Sequence, residues 1–251
     1  MRRVLIAIPA FNEAQTIRAC VRAALEAARQ ADLSASVVVA NDASSDSTAA
    51  LAREAGAKVV DVEHRQIAAV RNAAARSVLA LPGEPDDLLV FIDGDTLVNA
   101  ELLRGARRAI DAGGVGGGAR AQFDSGTPRW ATWLLVWPAG PLLWWWGYAG
   151  GCFLYCRRDA FETVGGFDEQ YYAAEEIHFL KALKKLKRGK VRTLRARTVT
   201  SGRKVRQYSP WLLARTLLTV MRTRAKARDG LDLWYSGERE TQPAKEANSR
   251  S

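Results

Sequence analysis

The chain has 251 residues, 48% of them hydrophobic and 25% charged, a balance that excludes general disorder. Three cysteines, Cys20, Cys152 and Cys156, are too few for a disulfide framework and point to a reducing compartment. The net charge of +10 invites nucleic-acid or membrane partners, but residues 181–251 hold 20 Lys or Arg and 5 Asp or Glu (+15), leaving 17 and 22 (−5) on residues 1–180.

Met1 to Ile8 lacks the long apolar stretch and the cleavage site of a signal peptide, so Val4–Ile8 reads as a buried strand closed by Pro9. Residues 14–30 place Ile17, Val21, Ala24, Leu25 and Ala28 at helical spacing. Val37–Ala40 predicts a second strand, 45–55 a helix, Lys58–Val62 a third strand, 66–81 a helix and Leu88–Ile92 a fourth strand. Continuous apolar strands alternating with amphipathic helices predict a parallel sheet covered on both faces. Ligands of such sheets bind beyond the C-terminal strand ends. Three polar stretches fall there: Pro9-Ala10-Phe11-Asn12-Glu13, Asn41-Asp42 and Asp93-Gly94-Asp95.

Five glycines within 113–118 predict a turn or a close backbone approach. No charged residue lies between Arg129 and Arg157, and six of the eight tryptophans fall in that interval. Core, interfacial and membrane-spanning readings all remain open for Trp130–Cys156, although Pro138, Gly140 and Pro141 interrupt a simple span. Its last part, GGCFLYC, suits a strand. Residues 173–188 suit a helix ending at Gly189, and Val191–Val199 alternates as a strand with one exposed face. Ser209-Pro210 suits the start of a basic amphipathic helix running to about Arg228.

Asp93-Gly94-Asp95 offers two carboxylates able to share a divalent cation with substrate phosphates; a turn whose aspartates accept backbone hydrogen bonds would look the same. Asp42 and the Ser/Asp/Thr stretch after it cap the next helix or receive a nucleotide base or ribose. Glu175-Glu176, near a helix start, either complements the helix dipole or supplies a general base. His64 and His178 lack metal-ligand spacing and read as structural, and Cys152 and Cys156 as packing residues.

Taken in order, VLIAIPAFNEAQTI, VVVANDASSDST, Arg71-Asn72, FIDGDT and GGFDEQYYAAEEIHFLKAL resemble the motifs of the family 2 glycosyltransferases over most of residues 3–206. The resemblance implies an α/β fold of the GT-A type: a mostly parallel, Rossmann-like sheet with helices on both faces, in one domain. It implies a catalytic domain over 1–206, with a nucleotide-binding half (1–98) and an acceptor half (99–206). A basic helix over 207–236 and a disordered tail over 237–251 are expected to follow.

The same resemblance implies roles for residues. Pro9, Ala10, Phe11 and Glu13 line the nucleotide pocket, Asp42 meets the base, and Arg71 lies near the nucleotide or its phosphates. Asp93 approaches the ribose, and Asp95, with Asp93, holds Mn2+ or Mg2+ on the diphosphate. Gly150 and Gly151 shape the sugar and acceptor region. Glu176 is the base, with Glu175 its rival, where the family usually has Glu-Asp. The implied donor is a UDP- or GDP-sugar and the implied reaction an inverting single displacement. The sequence offers Arg203, Lys204 and Arg206 for the leaving diphosphate. The Gln-x-x-Arg-Trp signature of processive synthases is broken at Gln207–Trp211, which favours a single transfer. The expected acceptor is lipid-linked or membrane-proximal, and the expected location cytoplasmic, peripheral to the membrane. A nucleotidyltransferase is disfavoured because PAFNE stands where a glycine-rich phosphate loop belongs. A non-catalytic nucleotide-sugar binder on the same fold stays open. So does a basic nucleic-acid module, although no recognition motif is visible for it.

Overall fold

The computed structural model describes residues 2–123 and 151–200, together with Lys226. Trp130–Trp146, Gly150, Arg203, Lys204 and Arg206, the basic helix and the tail lie outside the described residues. Among the described residues no helix is long and apolar enough to cross a membrane.

The first half follows the apolar runs. β1 (Arg3–Ala10), β2 (Ser34–Asp42), β3 (Lys58–Val62) and β4 (Leu88–Ile92) alternate with α1 (Ile17–Gln30), α2 (Thr48–Glu54) and α3 (Ile67–Leu79). β1 is buried from Val4 to Ala10 because both of its faces are covered. Val4, Ile6 and Ile8 face a cluster with α1 residues such as Ile17 and Val21, whereas Leu5 and Ala7 pack with Val70, Ala74 and Val78 of α3. This period of two is what a doubly covered sheet demands.

The second half departs from the parallel pattern. β5 (Thr96–Leu97), α4 (Ala100–Asp111), β6 (Gly114–Phe123), β7 (Phe153–Arg157), α5 (Arg158–Val164), α6 (Glu175–Lys185) and β8 (Lys190–Thr200) complete one sheet of order β3-β2-β1-β4-β7-β6-β8-β5. The pairs β1–β2, β1–β4, β2–β3 and β6–β8 are parallel; β4–β7, β6–β7 and β5–β8 are antiparallel. The sheet is therefore mixed, and β4–β7 pairing makes the two halves of the chain one sheet.

The glycine run of 113–118 belongs mostly to β6 rather than to a turn. Close approach is its physical reason: a side chain at Gly117 would collide with the Arg192 carbonyl of β8. Helices α4 and α5 fall where the periodicity reading places no element. α4 carried a readable signal, since Asn99 caps it by accepting a 3.0 Å hydrogen bond from the Leu102 N–H.

An aromatic cluster ties α5 and α6 to the sheet. Phe91 of β4 meets Phe167 edge-on at 4.9 Å between ring centroids, and Phe167 stacks on Phe179 of α6 at 4.3 Å. Asn72 of α3 fixes the chain that enters α6. Its amide donates to the Phe167 carbonyl and the Glu169 carboxylate, both at 2.9 Å, and accepts from the Phe167 N–H at 2.9 Å. Asn72→Ala strands the buried Phe167 N–H and carbonyl, so urea unfolding should show a loss of about 1–3 kcal/mol.

Candidate active site

The C-terminal ends of β1, β2 and β4 carry the motif loops, and side chains lock the first two together. Asn12, in left-handed backbone at φ 51°, donates its N–H to Ser44 Oγ and accepts from the Ser45 N–H. The Glu13 N–H donates to Thr48 Oγ1 at 2.8 Å, and the Ala14 N–H to Asp46 at 3.1 Å. Much of ASSDST is therefore scaffold for the PAFNE loop. Pro9 and Ala10 are buried at the end of β1, and Glu13 is buried beside Gly94 of the third loop.

Asp42 sits buried at the end of β2, where its carboxylate accepts the N–H of His64 at 2.7 Å and of Arg65 at 3.1 and 3.0 Å. It therefore positions the segment that brings the Arg65 guanidinium over the Phe11 ring, 4.4 Å from its centroid. The sequence reading did not name Arg65, which this contact brings to the candidate site. Its φ of 51° and its place before α3 leave no mark in the hydrophobic pattern.

Arg71 is the hub. It projects from the buried face of α3 and is itself buried, so its charge requires partners. Nη1 donates to Glu175 at 2.5 Å; Nη2 donates to Asp93 at 2.9 Å and to the Gly151 carbonyl at 3.0 Å. Both terminal nitrogens are thus engaged by protein groups. Nε is buried and has no hydrogen-bond partner among the described residues. One guanidinium thereby joins the end of β4 to the start of α6.

Glu176 follows Glu175 but has a different environment. Its carboxyl lies against Gly151, where an added Cβ would stand 3.3 Å from Glu176 Cδ. Burial, and then the charge of Glu175, push the Glu176 carboxyl up to about 8, with Arg71 opposing. The two glutamates are divided by environment: Glu175 is ion-paired, and Glu176 is poised to gain or lose a proton near neutrality.

Asp93 remains about one-third exposed while bound to Arg71. Asp95 Oδ1 accepts from Thr200 Oγ1 at 3.3 Å and Thr96 Oγ1 at 3.4 Å. Among the described residues no three His, Cys, Asp or Glu side chains form a metal cage. Two carboxylates at a strand end suit instead a hard cation completed by phosphate and water oxygens. Cys20 Sγ approaches the Asp93 carbonyl at 3.5 Å, and burial followed by the nearby aspartates pushes the Cys20 and Cys152 thiols well up. They are packing residues, as is buried Cys156. His64 contributes its backbone N–H to Asp42, and the His178 ring stacks on Tyr171 at 3.5 Å between centroids.

The sequence profile described as "Glycosyl transferase family 2" matches residues 5–165, more than half of the chain. The protein belongs to glycosyl transferase family 2. A search of curated protein sequences finds no match. Among solved structures, this glycosyltransferase resembles a mannosyltransferase from Pyrobaculum calidifontis in complex with GDP-Man and Mn2+. The two share 20% identity, with 94% of this chain and 69% of that chain covered and a TM-score of 0.62. It also resembles S. aureus TarS in complex with UDP-GlcNAc, at 18% identity, 94% and 71% coverage and a TM-score of 0.58. A third is glucosyl-3-phosphoglycerate synthase from Mycobacterium tuberculosis in complex with Mn2+, UDP and phosphoglyceric acid, at 17% identity, 91% and 80% coverage and a TM-score of 0.54. At these identities the likeness establishes the GT-A type of fold.

A cavity of about 460 Å³ lined by Arg2, Arg3, Glu84, Asp86, Asp87 and Arg107 lies beyond the opposite, N-terminal ends of β1 and β4. Its arginines pair with Asp111, Asp87 and Asp86, so its charge is internally balanced.

Proposed function

We propose that this glycosyltransferase moves one sugar per encounter from a UDP- or GDP-sugar to an acceptor hydroxyl, with inversion and with a divalent metal. The observation that carries the reading is the Arg71 bridge, which joins Asp93 on the donor side to the Glu175-Glu176 pair. Phe11, Arg65 and Asp42 form the base end of the pocket, with Pro9, Ala10 and Glu13 supporting it. Asp93 approaches the ribose. Asp95, with Asp93, holds Mn2+ or Mg2+, which when bound offsets negative charge on the diphosphate.

Glu176 accepts the acceptor hydroxyl proton on its carboxylate as the new bond to the anomeric carbon forms. The sugar–phosphate bond breaks on the opposite face, which inverts the centre. Glu175 stays ion-paired to Arg71 and fixes the start of α6. Gly151, without a side chain, leaves room over the Glu176 carboxyl; the sequence assigns Gly150 to the same sugar and acceptor region. Arg203, Lys204 and Arg206 supply the positive charge that stabilises the leaving diphosphate. The protein works in the cytoplasm at a membrane face, on a lipid-linked or membrane-proximal acceptor.

A thermal-shift panel of nucleoside diphosphates and their sugars, with and without Mn2+, tests this reading. One donor series should raise Tm more with Mn2+ present, because a ligand bound only by the native state stabilises it. Asp95→Asn should remove the Mn2+-dependent part and leave the metal-free Tm unchanged. No shift with any nucleotide would refute the donor assignment.

A further inference from the structure

The outer edge of the sheet carries charge that the reaction does not use. Between 177 and 200 the chain has nine Lys or Arg and no Asp or Glu. All nine are exposed: Lys181, Lys184 and Lys185 on α6, Lys187 and Arg188 in the turn, and Lys190, Arg192, Arg195 and Arg197 on β8. The four on β8 form no salt bridge among the described residues. Arg197 even stands opposite Arg120 across the β6–β8 ladder, a like-charge pairing that costs stability.

Charges on an edge strand deter pairing with other chains. That role leaves the lysines of α6 and the turn unexplained.

A second observation gives the surface a direction. Leu97 and Val199 are direct partners in the β5–β8 pair and are 44% and 39% exposed. They are two of the three exposed large apolar residues described. They sit beside Thr200, whose hydroxyl bonds to Asp95. A cationic strip thus ends in an apolar pair at the mouth of the candidate site.

We infer that the α6–β8 edge docks on an anionic lipid bilayer, with Leu97 and Val199 entering the headgroup region and the reaction site opening at the lipid surface. Cations near an anionic leaflet gain from its surface potential, and a small apolar contact adds a salt-insensitive part. A nucleic acid is the poorer fit, because residues 180–200 contain no aromatic side chain on which a base could stack. The orientation of the site rests on the proposed function; the docking itself does not.

The test is flotation of the full chain with vesicles of phosphatidylcholine alone or mixed with phosphatidylglycerol, at low salt. Binding to the mixed vesicles only, weakened but not abolished by added salt, is expected. Arg192→Gln/Arg195→Gln/Arg197→Gln should lower the bound-to-free ratio about tenfold or more. A control of equal charge on other surfaces, Arg22→Gln/Lys58→Gln/Arg76→Gln, should leave the ratio nearly unchanged. Leu97→Ser/Val199→Ser should weaken the binding that survives salt. The nucleotide-induced Tm shift should persist in the β8 triple variant, so loss of docking and failure of the donor reading are read separately. Absence of binding to mixed vesicles, equal losses in both triples, displacement by inorganic phosphate at matched ionic strength, or tighter binding to single-stranded DNA would each overturn the inference.

Discussion

Glu176→Gln is expected to lower turnover about 10²–10⁴-fold, the usual contribution of a positioned general base, while donor affinity changes little. The amide keeps the shape of the side chain but cannot take the acceptor proton. The pH profile separates this role from a structural one. Burial and the Glu175 charge raise the Glu176 carboxyl to about 8, and the base works only when ionised. Wild-type kcat/KM should therefore rise with pH through that region, level off above it, and fall as the group is protonated below it. Glu176→Gln should lose this limb. Steady-state kinetics with the donor found by the thermal-shift panel measures both quantities. A variant with normal turnover and a raised donor KM would assign Glu176 to donor binding instead.

Arg71→Met should be the most destabilising change at the site. It removes the partner of Glu175, whose side chain is 6% exposed, and leaves a carboxylate buried without its ion pair. Breaking one side of such a pair costs about 3–5 kcal/mol, because the abandoned charge has lost water and gained nothing in exchange. In a chain of this size that is a fall in Tm of about 6–20 °C. Adding Glu175→Gln should recover part of the loss, since a neutral amide is cheaper to bury. If the hub also sets the spacing between donor and acceptor sides, the double variant should regain stability but not turnover. Arg71→Lys keeps the charge yet cannot span Glu175, Asp93 and the Gly151 carbonyl with one planar fork. Equal Tm values for wild type and Arg71→Met would contradict the hub.

What the sequence made legible was local. The apolar runs of β1 to β4 and the helical spacing of α1 and α3 follow from burial on two faces, and each appears within a short window of chain. The polar strand ends followed from topology. The acceptor half was less readable because its strands reverse direction and its glycines serve close packing, which looks like a turn when read without neighbours. The division between Glu175 and Glu176 was not readable either. It depends on an arginine 104 residues away in the chain, and no periodicity reports such a contact. Arg65 was hidden for a related reason: its position over Phe11 is set by backbone hydrogen bonds to Asp42.

In the proposed donor site, built from the ends of β1, β2 and β4 and the start of α6, Asp95 holds the metal and Glu176 acts as base. The most direct measurement is a crystal structure grown with Mn2+ and the nucleoside diphosphate selected by the thermal-shift panel, with data collected for manganese anomalous scattering. The expected result is a manganese peak coordinated by Asp95 and the diphosphate, the base beside Phe11 and Asp42, and the Glu176 carboxylate facing the open side of the terminal phosphate. A manganese peak remote from Asp93 and Asp95, or a nucleotide seated among Arg2, Arg3 and Arg107 at the opposite end of the strands, would contradict it.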